Sequence, residues 1–192
     1  VRSSAASDVY KRQMFTFHSL NFADDDIPTT SVRSLFTDSD NNIWMGIGPY
    51  GLACLEYATG KLKSHSQMPE FTGMTIPTVF SVVQRKGSGE IWFGTYDGGI
   101  FAYHKGQRVR NLTPENCKFL GSSCVSALYE DKYANCWVGT RGSLGVQLAD
   151  GNSFLFENMS FVDGAQLNWF YVRDIIADSD NSMWIATVSY TH

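Results

Sequence analysis

The chain has 192 residues, 43% of them hydrophobic, enough for a real apolar core and unlike the composition of a disordered or fibrous protein. Its 15 Lys and Arg are scattered and its formal net charge is −4, so the electrostatic footprint of a nucleic-acid binder is missing. No apolar run approaches the roughly 18 residues of a membrane helix, so membrane contact by this segment is not expected.

In chain order, the first stretch, VRSSAASDVYKRQ (1–13), lacks apolar periodicity, and the last, VSYTH (188–192), breaks off in mid-pattern. Both resemble translated sequencing-adapter read-through at the ends of metagenomic gene fragments. They are set aside as non-native ends, and 14–187 is expected to be an internal piece of a longer protein. ADDDIP (23–28) reads as a solvated acidic connection rather than as paired catalytic carboxylates, since no cleft residue stands beside it.

From residue 31 a four-part unit begins. SVRSLFT (31–37) is rich in β-branched and aromatic residues that partly alternate, as in a half-buried strand. DSDNN (38–42) consists of residues that bond their own backbone or tolerate left-handed dihedrals, and it reads as a turn. NIWMGI (42–47) follows as a second strand, whose indole packs between sheets and whose glycine permits close approach. GLACLEYA (51–58) alternates as a third strand, and after the ATGK turn KLKSHS (61–66) makes a polar outer strand.

The unit recurs. Trp44, Trp92, Trp137 and Trp184 stand 48, 45 and 47 residues apart, the length of one four-stranded propeller blade. Val32, Val125 and Val172 precede their tryptophans by twelve residues, whereas Val79 precedes Trp92 by thirteen, which predicts one extra residue in the second turn. Asp38, Asp131 and Asp178 precede by six, with Lys86 as the exception; Gly46, Gly94 and Gly139 follow by two, with Ala186 as the exception. The expected fold is an all-β propeller fragment of about four blades (31–66, 78–113, 123–157 and 171–187), the last cut after its second strand. The four tryptophans are expected to be equivalent and largely buried.

The pattern Val…Asp…turn…Ile-Trp-x-Gly-Thr…Gly-Gly-Ile resembles the two-component regulator propeller repeat, carried best by Val79, Ile91, Trp92, Gly94, Thr95, Gly98, Gly99 and Ile100. FTFHSL (15–20) resembles the strand that leads into the first such repeat, and Ile47, Lys86 and Ala186 depart from the pattern. The resemblance implies the extracytoplasmic, periplasmic sensor region of a bacterial hybrid two-component system. Such sensors are commonly built from two seven-bladed propellers ahead of a membrane helix and a histidine kinase, and commonly detect oligosaccharides. The partners implied are an oligosaccharide ligand and the remaining blades of the parent chain, with a homodimer left open.

In a propeller the connections from second to third strand and from blade to blade share one face. That face gathers GPYG (48–51), YDGG (96–99), RGSLG (141–145) and the long connections 67–77, 112–122 and 158–170. Tyr50, Tyr96, Asp97, Arg141, Trp169 and Phe170 there combine aromatic platforms with hydrogen-bonding groups, which suits a polyhydroxylated ligand.

Other chemistry finds little purchase. DSDNN hints at a calcium loop, but that spacing needs Gly and Glu where Ile43 and Pro49 stand. Cys54, Cys117, Cys124 and Cys136 form no C-x-x-C pair and read as small buried thiols, with a Cys117–Cys124 bridge left open. His18, His65, His104 and His192 are too dispersed for zinc spacing. No phosphate, dinucleotide or hydrolase fingerprint appears, so no metal, cofactor or catalytic residue is assigned and the segment reads as non-enzymatic. The rival readings are a protein-binding scaffold and a propeller lyase or glycosidase, for which Glu130 and Asp174 are the main acids.

Overall fold

A computed structural model of the chain describes residues 31–48, 51–157, 159–160, 166–167 and 170–188. The expectations for 1–13, for the lead-in strand at 15–20, for 189–192, and for Tyr50 and Trp169 lie outside the described residues.

Strands β1 (Ser31–Thr37), β2 (Ile43–Gly48), β3 (Leu52–Leu55) and β4 (Leu62–Ser64) form one antiparallel sheet in chain order. The same meander returns in β5 (Val79–Gln84), β6 (Ile91–Thr95), β7 (Ile100–Tyr103) and β8 (Arg110–Leu112). It returns again in β9 (Val125–Glu130), β10 (Cys136–Thr140), β11 (Leu144–Gln147) and β12 (Ser153–Phe156). A small ribbon, β13 (Met159–Ser160) with β14 (Gln166–Leu167), precedes the pair β15 (Tyr171–Ala177) and β16 (Met183–Val188), which begins a fourth sheet. In the last pair Val188 stands in register with Tyr171.

Register confirms the lengths read from the repeat. Thr37 faces Ile43, Glu130 faces Cys136 and Ala177 faces Met183, while Gln84 faces Ile91 across the one longer turn.

The turns explain why the sequence spaces Asp and Trp by six. Asp38 Oδ1 accepts the backbone N–H of Asp40 and of Asn42, both at 2.9 Å, and its Oδ2 accepts the indole N–H of Trp44 at 2.8 Å. Asp131 repeats the set with Tyr133, Asn135 and Trp137, as does Asp178 with Asp180, Ser182 and Trp184. One carboxylate therefore closes the turn and fixes the indole that packs between blades. The residue before the last turn position is left-handed in each case: Asn41, Ala134 and Asn181 at φ 64°, 63° and 64°. In the second blade, where Lys86 takes the aspartate's place, the longer turn brings Glu90 to the indole of Trp92 at 3.2 Å.

Burial opposes ionisation of Asp131, but the hydrogen bonds from the Asn135 side chain and backbone, Trp137 and Tyr133 outweigh it and hold the carboxyl below its ordinary range. A group whose folded pKa is depressed stabilises the fold above the unfolded value, about 3.9, and loses that contribution as pH falls through the folded value. Asp131→Ala is expected to cost about 2 kcal/mol near pH 7, as for hydrogen bonds to a buried charge. The gap to the parent chain should narrow below about pH 4, as read by urea denaturation across pH; a gap independent of pH would refute the assignment.

Blades mate through a glycine and a valine. A Cβ on Gly46 would stand 2.9 Å from Val79 Cβ; on Gly94 it would stand 2.7 Å from Val125 Cγ1, and on Gly139 2.4 Å from Val172 Cγ1. Each valine belongs to the next blade and is fully buried, whereas Val32, with no described blade before it, is 41% exposed. The repeated Val and Gly are thus two halves of one interface.

Three of the four buried clusters lie between sheets, and the fourth, Met45, Ile47 and Ala53, belongs to the first sheet alone. Trp44, Leu52, Phe71 and Phe93 fill the first interface; Trp92, Phe119, Leu128 and Val138 fill the second; Leu144, Phe170, Val172 and Ile175 fill the third. The expectation of four buried tryptophans needs correction. Trp44 and Trp92 are buried and Trp137 is partly so, but Trp184 is 62% exposed because no described strand covers its face of β16. The polar outer strand also fails in the third blade. Phe154 and Phe156 are exposed on β12, in register with Val146 and Leu144 on the face turned toward the incomplete fourth sheet.

All four cysteines are free. Burial pushes the thiols of Cys54 and Cys136 up to about 12 and that of Cys117 up to about 11, so these three pack as inert apolar groups.

Candidate ligand-binding rim

Consecutive blades approach one another through their first strands, β1 to β5, β5 to β9 and β9 to β15, so these lie innermost and the outer strands fan apart. The two faces separate as expected. Tyr96 N–H donates to Thr78 O at 3.0 Å, Arg141 N–H to Cys124 O at 3.2 Å, and Gly142 N–H to Phe170 O at 2.7 Å, tying the turns after β6 and β10 to the blade-to-blade connections. On the opposite face Asn42 Oδ1 accepts from Tyr57 N and Asn135 Oδ1 from Ala149 N, joining the remaining turns. Buried Thr95 and Thr140 brace the rim turns: Thr95 Oγ1 donates to Gly99 O, and Thr140 Oγ1 to Ser143 O.

Tyr96 is 55% exposed at this rim, its ring edge-on to Phe80 at 5.9 Å. Asp97 and Arg141 are exposed beside it on the turns after β6 and β10. Phe170 is a correction: at 2% exposure it belongs to the third interface, where Val172 and Ile175 cover it, so its ring offers no platform to a ligand.

A β-bulge that the sequence does not announce recurs in each of the four described first strands. Register skips one residue between Val32 and Ser34, between Val79 and Ser81, between Val125 and Ala127, and between Val172 and Asp174. The skipped residues are Arg33, Phe80, Ser126 and Arg173. A bulge re-aims one side chain without ending the strand, and here it does so at the inner end of each blade. Arg33 lies over Gly48, its Nε 3.3 Å from where a Cβ on that glycine would stand. Phe80 meets Tyr96, and the Arg173 guanidinium sits 4.9 Å over the Tyr171 ring. Ser126 Oγ instead bonds Val172 O of the next blade. The Tyr171 hydroxyl lies 3.6 Å from Cys124 Sγ; burial and then Cys124 push its pKa up. No glycine marks these bulges, so only the strand register reveals them.

On the opposite, outer side the fanning blades leave wedge-shaped clefts. One of about 590 Å³ between the second and third blades is lined by Arg85, Glu90, Trp92, Arg110, Lys118 and Gln147 among others. Its inner wall is an ionic clamp: Arg85 Nε meets Glu130 Oε2 at 2.7 Å, Arg85 Nη1 meets Gln147 Oε1 at 2.8 Å, and the guanidinium stacks 4.5 Å over Trp92. Lys86 N donates to the other Glu130 oxygen at 2.8 Å. Glu130 is therefore engaged between blades, away from the rim, and Asp174 accepts the N–H of Ile175. Among the described residues no three His, Cys, Asp or Glu side chains gather as a metal site, and no helix is long and apolar enough to cross a membrane.

Radially arranged antiparallel meanders, mated blade to blade through Val and Gly, define a β-propeller fragment. Comparison with known proteins adds particular likenesses: residues 26–48 match the family model described as two component regulator propeller, the resemblance read from the repeats. No curated protein sequence matches the chain. Among solved structures, the extracellular domain of a putative hybrid two component system from B. thetaiotaomicron is similar over 92% of this chain, with 19% identity and a TM-score of 0.65. A second such domain from the same organism is similar over 88%, with 15% identity and a TM-score of 0.64. PorZ, a surface component of the type-IX secretion system of Porphyromonas gingivalis, is similar over 81%, with 16% identity and a TM-score of 0.56. The chain spans 22% of the length of the first two and 24% of the third.

Proposed function

We propose that this chain is part of the periplasmic, ligand-sensing region of a bacterial two-component signalling protein, where it binds an oligosaccharide and relays binding without catalysing a reaction. The observation that carries the reading is the inner rim. The scaffold positions (Val, Asp, Trp, Gly) each recur in at least three of the four blades, while the bulge positions hold Arg33, Phe80, Ser126 and Arg173 and the positions four after each tryptophan hold Gly48, Tyr96, Arg141 and Val188. A frame that repeats and a rim that varies suit a surface built for one ligand, and the exposed ring of Tyr96 beside hydrogen-bonding groups suits a sugar. The match to a two-component regulator propeller and the shared fold of sensor domains support the signalling part of the reading.

Tyr96→Ala in the intact sensory region is expected to weaken oligosaccharide binding about fivefold, the equivalent of about 1 kcal/mol of ring contact. The melting temperature should stay within about 2 °C, because an exposed turn side chain contributes little to blade packing. Titration calorimetry against a panel of neutral and acidic oligosaccharides reads the affinity. Unchanged affinity in both Tyr96→Ala and Arg141→Ala would move the site elsewhere.

A further inference from the structure

The rim also carries a charge signature that the aromatic reading leaves unused. Among the described residues stand Arg33, Arg85, Arg108, Arg110, Arg141 and Arg173. Arg85 is paired with Glu130 and Arg110 with Glu90. Of the remaining four, Arg33, Arg141 and Arg173 stand on this one rim, all exposed and none ion-paired among the described residues. In a chain of net charge −4 three arginines on one rim, against the two exposed carboxylates of Asp97 and Asp174, run against the overall balance. Asp97 stands on the rim turn after β6, and Asp174, next to Arg173, accepts the Ile175 N–H through Oδ1.

These arginines are also held. Arg33 and Arg173 occupy the bulge position in two different blades, so the same backbone device delivers a guanidinium twice. Arg173 is braced over Tyr171, and the Arg141 backbone is fixed by its bond to Cys124 O and its bridge to Tyr171. A braced guanidinium loses less freedom on binding than a lysine, and its planar fork matches a carboxylate or sulfate with two parallel hydrogen bonds.

We infer that the rim recognises an acidic oligosaccharide, with Arg33, Arg141 and Arg173 taking its carboxylate or sulfate groups while the exposed Tyr96 offers its ring to a sugar. The inference rests on the oligosaccharide reading above and adds the charge class of the ligand and the residues that select it.

The test titrates the intact sensory region in which this chain occurs with two matched pairs: tetragalacturonate against its full methyl ester, and a sulfated galactan tetrasaccharide against its desulfated form. The expected result is that the acidic member of at least one pair binds at least tenfold more tightly than its neutral partner, and the responding pair identifies carboxylate or sulfate. The R33Q/R173Q double variant should lose tenfold or more on the acidic member with the neutral member unmoved. Raising NaCl from about 50 to 500 mM should weaken acidic binding alone, as screening of charge contacts requires. Neutral members that bind as tightly as acidic ones overturn this inference and leave the oligosaccharide reading standing. A folded region that binds neither kind, with folding checked by its melting transition, overturns both.

Discussion

Trp92→Ala should remove about 3–5 kcal/mol of folding free energy, the range for a large aromatic deleted from a core, while Trp184→Ala, at the same place in the repeat, should remove about 1 kcal/mol or less, as for an exposed side chain. Trp92 is 3% exposed, stacked parallel on Phe119 at 5.9 Å and capped by the Arg85 guanidinium, so its removal opens a cavity between two blades that rigid strands cannot refill. Trp184 is bonded to Asp178 and is 62% exposed. Denaturant midpoints of the two variants at constant slope decide the matter. Equal losses would mean that the blade interfaces are not where the stability of this chain resides.

Glu130→Ala should cost about 3–5 kcal/mol, because it strands the Arg85 guanidinium between blades without its counter-charge. Both side chains are shielded, Arg85 at 11% and Glu130 at 3% exposure, so solvent screens the pair little. Removing both partners should cost less than the sum of the single losses, since a charge left unpaired dominates each single variant. A double-mutant cycle measures the difference, and additive losses would refute the clamp. The same cycle separates the structural role from the enzyme reading, in which Glu130→Ala would abolish an activity and leave stability nearly intact.

Strand positions, the length of each turn and the mating of blades were legible in the sequence because each depends on a short pattern. Alternation over five or six residues marks a strand, a run of Asp, Asn and Ser marks its turn, and a small residue two places after Trp marks where the next blade must come close. Even the extra residue between Val79 and Trp92 appears in the register as a longer turn. The grip of Asp on the indole was written there too, as a fixed spacing of six, although its purpose shows only when the carboxylate is seen accepting three kinds of N–H at once.

The rest was decided by which element came to lie beside which. Phe170 and Tyr96 look alike as aromatic residues in connections, yet one is sealed under Val172 and Ile175 and the other stands at the rim. Arg85 and Glu130 are 45 residues apart, and nothing local to either announces the other. Glu90 took over the aspartate's task only because a longer turn carried it to the Trp92 indole. The bulges left no mark in composition, since Arg, Phe and Ser fill them where glycine might have signalled them. Sequence by itself determined the repeating frame of this protein, because secondary structure and close packing of a repeat are set by neighbours within one unit. Tertiary structure alone decided which copies of that frame are buried and which side chains reach the rim, because burial and exposure belong to contacts between units, and these differ at every blade of an otherwise repeated chain.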